Sequence, residues 1–356
     1  VRDPRTVVRQ ARAQWRRLSG VPAEVEAQAA TLDAQADGVA LLATAHHDTR
    51  LVADHAVMVA ADALAEARQL RPWIGDLDAR TTGEAEKAAV VHDHELRLQR
   101  LERQLAIVAF MRYLAHTPVA EDLVVSVILP TFDRAHLLSD AIDSVLAQSY
   151  PRWELLVVDD GSTDATAELL DRYDDPRLRR FRTDHVGASG ARNRALDEVR
   201  GDVVAYLDSD NRMDRDWCKA VVWAFTTNPD EHALYGARVI DHPERVYGPE
   251  VGPFPAVQFE PFDRAALEVG NFADMGVLAH RAGLDVRFDE ELIWYGDWDL
   301  LLQLTADRAP IELPALACCY AAGPADRLTP VAGEDLPPAV EVDRRRVRAR
   351  HGAGDR

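Results

Sequence analysis

The chain has 356 residues, with 41 Lys and Arg against 60 Asp and Glu, for a formal charge of −19. That length suits two domains or one large one with a sizeable core, and the acidity argues against nucleic acid bound through a general basic surface, which needs clustered Lys and Arg. Three cysteines, Cys218, Cys318 and Cys319, without C-x-x-C spacing argue against a disulfide framework or a cysteine zinc site. No apolar run reaches the roughly 18 to 20 residues that cross a bilayer. The first ten residues, V-R-D-P-R-T-V-V-R-Q, lack the apolar centre of a secretory leader. A cytoplasmic protein without a transmembrane segment is expected.

Residues 1–120 read as an all-helical region. Leu51, Val52, His55, Met58, Val59 and Ala63 fall near the three-and-four spacing of one helical face, and Pro72 and Gly75 then punctuate the chain. A second helix is predicted from near Thr82 to His116, with Leu98, Leu101, Leu105 and Val108 as a seam. The seam is too short for a sustained coiled coil, so a hairpin or bundle is expected, serving as support or as the contact of a homo-oligomer. Thr117-Pro118 ends it.

From Leu123 strands alternate with helices, the pattern of an α/β domain whose mostly parallel sheet is flanked by helices. Val124–Leu129 reads as a strand ending at Pro130-Thr131, and His136–Gln148 as an amphipathic helix. Glu154–Val158 reads as a strand ending on Asp159-Asp160-Gly161-Ser162. Thr163-Asp164 opens a helix, Leu178–Phe181 is a third strand, and Ala191–Val199 is a helix behind Gly187-Ala188-Ser189-Gly190. Val203–Leu207 is the fourth strand, and it runs into Asp208-Ser209-Asp210-Asn211. In open α/β sheets ligands sit beyond the carboxyl ends of the strands, and here three such ends carry polar groups. Asp208-Ser209-Asp210 reads two ways. It is a turn by residue preference, or a site for Mg²⁺ or Mn²⁺, which take one or two protein carboxylates plus substrate phosphates.

Gly236–Pro261, with its Gly, Pro and scattered aromatics, reads as a long irregular insertion. Val340–Arg350 is a charged helix, either solvated or facing an acidic partner or membrane surface.

The segments V-S-V-I-L-P-T-F-D-R (Val125–Arg134), L-L-V-V-D-D-G-S-T-D (Leu155–Asp164), G-A-S-G-A-R-N (Gly187–Asn193) and Y-L-D-S-D-N (Tyr206–Asn211) resemble, in order and spacing, the signatures of family 2 glycosyltransferases. The resemblance covers roughly residues 123–305. It implies a GT-A fold over 121–323, between the helical region and a C-terminal extension at 324–356, and an inverting glycosyltransferase acting on a nucleoside-diphosphate sugar, typically a UDP-sugar. Carried over by motif, Pro130, Thr131 and Asp133 lie along the nucleoside, Asp160 faces the base and Arg192 the diphosphate. Asp208 lies near the ribose and the metal, and Asp210 is the more direct ligand of Mg²⁺ or Mn²⁺. Met275–Ala279, ending at His280-Arg281, resembles the strand beneath the acceptor site, where His280 is structural or catalytic. G-D-W-D at Gly296–Asp299 resembles the family's Glu-Asp-Trp-Asp motif, with Gly296 in place of the Glu. Asp297 then stands where the general base belongs, ionised by its place at a helix N-terminus, with Asp299 second. Trp294, Tyr295 and Trp298 pack the core or stack on sugar. The acceptor, a saccharide, small molecule or peptide, is open. A sugar nucleotidyltransferase would show a Gly-rich loop with Lys or Arg where Pro130-Thr131-Phe132-Asp133 stands. A catalytically inactive nucleotide-sugar-binding scaffold would keep the sheet without turnover.

Overall fold

The structure is a computed structural model, and it describes residues 84–240, 256–320 and 337–351. The chain divides into two compact units, residues 1–112 with 246–255 and residues 113–245 with 256–356. The helix expected around Leu51–Ala63 lies outside the described residues. The second one is present as α1 (Glu84–His116). Its buried stripe is Gln104, Ile107, Val108, Met111 and Leu114, so Val108 belongs to it while Leu105 is only half-buried. In the larger unit, Tyr113 packs edge-on against Trp223 at 6.0 Å.

Runs of apolar residues too short for helices build the sheet of that unit. β1 (Val125–Thr131) and β2 (Trp153–Asp159) are buried at every position, as strands are when helices cover both faces. With β3 (Leu178–Arg182) and β4 (Val203–Tyr206) they form a parallel half in the order β3-β2-β1-β4. The crossovers carry α2 (Ala135–Leu146), α3 (Thr166–Leu170) and α4 (Gly187–Leu196). Helix α2 turns Leu138, Ala141, Ile142 and Val145 inward at three-and-four spacing. Pro130 is tolerated inside β1 because β4 pairs only as far as Ile128↔Tyr206, so the missing N–H falls beyond the end of that neighbour.

The second half is mixed. It contains β5 (Asn211–Met213), α5 (Trp217–Thr227), β6 (Ala233–Ile240), β7 (Ala256–Gln258), α6 (Arg264–Val269), a 3₁₀ turn at Met275–Val277, β8 (Leu278–Arg281), α7 (Gly296–Leu304), β9 (Ile311–Tyr320) and α8 (Pro338–Arg350). The sheet runs β3-β2-β1-β4-β8-β6-β9-β5, and β7 pairs with β6. Strand β8 is antiparallel to both β4 and β6, while β6 and β9 are parallel. The parallel character expected of the whole sheet therefore belongs mainly to its first four strands.

Two readings need correction. Gly236 does not open an irregular insertion but sits inside β6, and residues 256–258 return as β7; residues 241–255 lie outside the described residues. The glycine is there because a Cβ would lie 2.6 Å from the Trp217 ring and 2.8 Å from the Ala315 carbonyl oxygen, a close approach that only Gly allows within a strand. Helix α8 is not solvated on every side either, though most of its positions are exposed. Val340, Asp343 and Val347 are buried. Among the described residues no helix is long and apolar enough to cross a membrane.

Candidate active site at the strand ends

The carboxyl ends of β1, β2 and β4 are tied to one another by their own polar residues. Asp133, in the left-handed region at φ 49°, accepts the Thr163 N–H at 2.6 Å and the Asp164 N–H at 3.2 Å through one carboxylate oxygen. Its own N–H donates to Ser162 Oγ at 2.9 Å. Asp159 accepts the Ser162 N–H at 2.8 Å and pairs with Arg182, and Gly161, at φ 85°, makes the turn. Thr131 ends β1 with its hydroxyl buried and unpartnered.

Asp160 explains why α4 begins at Gly187 rather than near Ala191. Its carboxylate accepts the Val186 N–H at 2.7 Å, the Gly187 N–H at 2.8 Å and the Thr183 hydroxyl at 2.7 Å, so an acid 26 residues before Val186 and 27 before Gly187 caps the helix. Three of the roughly four lone-pair positions of a carboxylate are thereby used. Beside it, His185 (φ 57°) brings its ring to 4.1 Å from that of Phe132, which is 39% exposed. This open ring pair, within reach of the Asp160 carbonyl at 3.3 Å, escaped the sequence reading because neither residue type at its position signals a ligand.

Beyond β4 the two acids of Asp-Ser-Asp each meet a guanidinium. Arg192, on α4, donates to Asp208 at 2.6 Å, and Arg134, at the start of α2, donates to Asp210 at 2.6 Å. Burial raises the Asp210 pKa, the Asp208 carboxylate adds to this, and Arg134 opposes it. Among the described residues seven buried side-chain polar atoms have no hydrogen-bond partner, and four of them, Thr131 Oγ1, Arg192 Nε and both side-chain atoms of Asn211, belong to residues at the strand ends beside these acids. Buried polar atoms are nearly always satisfied, so a cluster of orphans at strand ends marks a place that receives a polar ligand. Among the described residues no three or more His, Cys, Asp or Glu side chains gather around one metal position. Two hard carboxylates nevertheless fit Mg²⁺ or Mn²⁺, which take their remaining ligands from phosphate and water.

The other wall comes from the antiparallel half. Helix α7 starts behind Tyr295, a left-handed residue at φ 62°, and Asp297 lies in its first turn. Burial pushes Asp297 up to about 7, helped by the Asp274 carboxylate and by Asp208 and resisted by the Trp298 amide and Arg192. Burial thus works against the helix N-terminus, and Asp297 is not held as firmly ionised as its place there suggests. Part of its surface is exposed, yet its hydrogen-bond partner among the described residues is the backbone N–H of Trp298 at 2.8 Å, too little to offset lost hydration and a second acid. Asp274 was missed because an isolated Asp before an apolar segment reads as a cap, which it also is, accepting the Gly276 N–H at 3.2 Å. Its carboxylate meets Arg238 at 2.5 Å, and burial still raises its pKa.

The structure thus brings Arg192, Asp208, Asp274 and Asp297 into one electrostatic cluster, with Asp210 beside it. It removes Asp299 as a base: that carboxylate is fully buried and bonded to His351 at 2.7 Å and Gln303 at 2.7 Å. His280 takes the structural role, bonded to the Tyr206 hydroxyl at 2.8 Å and depressed by burial to about 4. Trp298 is core, with its indole N–H on the Leu267 carbonyl at 2.6 Å.

Residues 126–290 match the family model described as Glycosyl transferase family 2. The putatively assigned teichuronic acid biosynthesis glycosyltransferase TuaG of Bacillus subtilis is 42% identical over 95 residues, 26% of this chain and 38% of TuaG. The UDP-Glc:alpha-D-GlcNAc-diphosphoundecaprenol beta-1,3-glucosyltransferase WfgD of Escherichia coli is 42% identical over 92 residues, 26% of this chain and 36% of WfgD. The chain therefore spans little more than a third of these relatives. In fold it is similar to the crystal structure of S. aureus TarS 1–349 in complex with UDP-GlcNAc, with a TM-score of 0.51 at 19% identity over 65% of this chain and 67% of that one.

Proposed function

Because residues 126–290 form a family 2 glycosyltransferase domain, we propose that this chain transfers a sugar from a nucleoside-diphosphate sugar to an acceptor hydroxyl in one displacement that inverts the anomeric carbon. The observation that carries this reading is the set of orphaned polar atoms around two arginine-paired carboxylates, facing a base of raised pKa across the strand ends. Asp208 and Asp210 would hold Mg²⁺ or Mn²⁺, which when bound supplies neutralisation of the departing diphosphate. Arg192 and Arg134, released from those acids, would face the diphosphate oxygens. Pro130, Thr131 and Asp133 would line the nucleoside, Phe132 and His185 would offer rings for the base, and Asp160 has one acceptor position left for a base N–H.

The chemistry balances with this chain's own groups. The acceptor oxygen attacks the anomeric carbon, the bond from that carbon to the diphosphate oxygen breaks, and its electron pair leaves with the nucleoside diphosphate. The acceptor proton passes to Asp297, whose pKa of about 7 suits proton acceptance near neutrality. A UDP-sugar is the favoured donor and a saccharide hydroxyl the favoured acceptor, supported by what the names of WfgD and the TarS complex say of those proteins.

Titration calorimetry of UDP and GDP with and without Mn²⁺, together with UDP release from UDP-glucose and UDP-GlcNAc, tests the reading. UDP is expected to bind more tightly with Mn²⁺, and Asp210→Ala to lose at least tenfold of that metal-dependent affinity. Equal UDP affinity with and without Mn²⁺ in the unaltered protein would remove the metal from the scheme.

A further inference from the structure

Helix α8 carries five arginines between positions 344 and 350, yet in the fold it is fastened along the segment that leads into α7. Asp343, 4% exposed, accepts the backbone N–H groups of Ile293 at 2.9 Å and Trp294 at 2.8 Å through one oxygen, Oδ2. Arg344 donates to the Tyr295 hydroxyl at 3.3 Å. Arg346 pairs with Glu291, and Arg350 reaches Asp289 at 3.4 Å and Asp299 at 3.3 Å. His351 closes the series on Asp299 Oδ1 at 2.7 Å. The helix therefore grips the chain on both sides of Asp297, at 293–295 before it and at 299 after it.

Leu292 before this segment is buried and the Tyr295 ring meets Trp298 edge-on at 5.5 Å, but between them the backbone N–H groups of Ile293 and Trp294 are held by Asp343. The Ile293 side chain is 73% exposed, so apolar packing does not anchor it, and the two N–H groups capped by Asp343 precede Tyr295 in its left-handed conformation. A non-glycine residue stays in that region only when its surroundings over-determine it. Asp297 follows two residues later, and its usefulness as a base depends on where that turn points it.

We propose that α8 is a strap that holds the general base in position and that Asp343 is its main positioning residue. The proposal rests on the reading of Asp297 as the base. A misplacement of about 1 Å can cost on the order of 100-fold in rate, so Asp343→Ala is expected to lower kcat for UDP release from UDP-glucose or UDP-GlcNAc by about 10- to 100-fold. The Kd for UDP with Mn²⁺ should stay within about twofold of the unaltered protein, because the partners of Asp343 among the described residues are the Ile293 and Trp294 amides and not the groups assigned to the nucleotide. Asp343→Asn keeps a carbonyl oxygen for both amides and should recover most of the rate. Hydrogen exchange at Ile293 and Trp294 should quicken in the Ala variant and much less in the Asn variant.

Wild-type kcat in Asp343→Ala, unchanged exchange at the two amides, an Asn variant as slow as the Ala one, or UDP affinity falling in step with kcat would each overturn the proposal. If Asp343→Ala does not accumulate folded, Asp343→Glu, which keeps the charge and displaces the oxygen, carries the same test with the same expected split. Absence of UDP release by the unaltered protein, or Asp297→Asn at full speed, would instead overturn the reading of the site, and the exchange measurement would still decide whether α8 orders the segment.

Discussion

In the parallel half of the sheet, Asp208 and Asp210 each have a guanidinium at 2.6 Å and Asp160 has three donors. In the antiparallel half, Asp297 has one backbone amide, and its nearest electrostatic neighbour of consequence is another acid, Asp274. The first arrangement sets a guanidinium against each strand-end acid, although burial and the Asp208 carboxylate still raise the Asp210 pKa. The second withholds compensation, and an acid so treated binds a proton at neutral pH. One sheet thus supports two kinds of carboxylate, and the difference comes from their surroundings.

The sharpest way to break this contrast is to remove the proton acceptor. Asp297→Asn should lower transfer by about 100- to 10,000-fold, the usual worth of a general base, with UDP affinity unaltered. Sugar transfer by product assay and UDP binding by calorimetry check the two arms. Turnover at the original rate would show that the undersatisfied acid is not the base.

A second measurement sharpens the comparison through pH. Unfolded Asp297 releases its proton near 3.8, whereas the folded protein holds it to about 7. Between those values the folded state binds more protons, so its stability falls as pH rises across that window, and the penalty is fully present above about 7. In the metal-free protein, Asp297→Asn should therefore raise Tm above pH 7 by about 2–4 °C, the shift that ~1 kcal/mol gives a domain of this size. It should have little effect near pH 4. The activity limb is expected to rise with pH as the carboxylate ionises, and equal Tm values for the two proteins at pH 8 would contradict the raised pKa.

A third effect concerns the frame that holds the two halves and leaves activity alone. Gly236→Ala places a methyl 2.6 Å from the Trp217 ring and should cost about 1–3 kcal/mol by overpacking, read as a lower urea midpoint at constant m-value. Donor affinity should be unchanged, since Trp217 and Gly236 touch none of the assigned groups.

The parallel half was legible because its strands are short, fully apolar runs and its acids stand at their ends, where spacing alone gives position. Asp208 and Asp210 were found that way, and Asp297 through the motif that G-D-W-D resembles. The antiparallel half was harder to read for identifiable reasons. Gly236 looked like loop chemistry because the Trp217 ring that requires it lies nineteen residues upstream. Asp274 stands in no motif singled out in the sequence, and its place in the site depends on Arg238 and on acids from other elements. Helix α8 reads by charge as solvated or as facing a partner, and the bonds of Asp343, Arg344 and Arg350 show that one side of it is packed against the chain before and within α7. The pKa of Asp297 depends on burial, which a helix-end argument does not contain.

Strand β4 is paired in parallel with β1 on one side and antiparallel with β8 on the other. The buried bond from the Tyr206 hydroxyl to His280 joins it to β8 near the end that carries the acids. Since a slip of one residue sends every side chain of a strand to the opposite face, that bond acts as an index pin between the halves. One added residue within Val203–Tyr206 would turn the pin, and the acids that follow it, to the wrong face of the sheet.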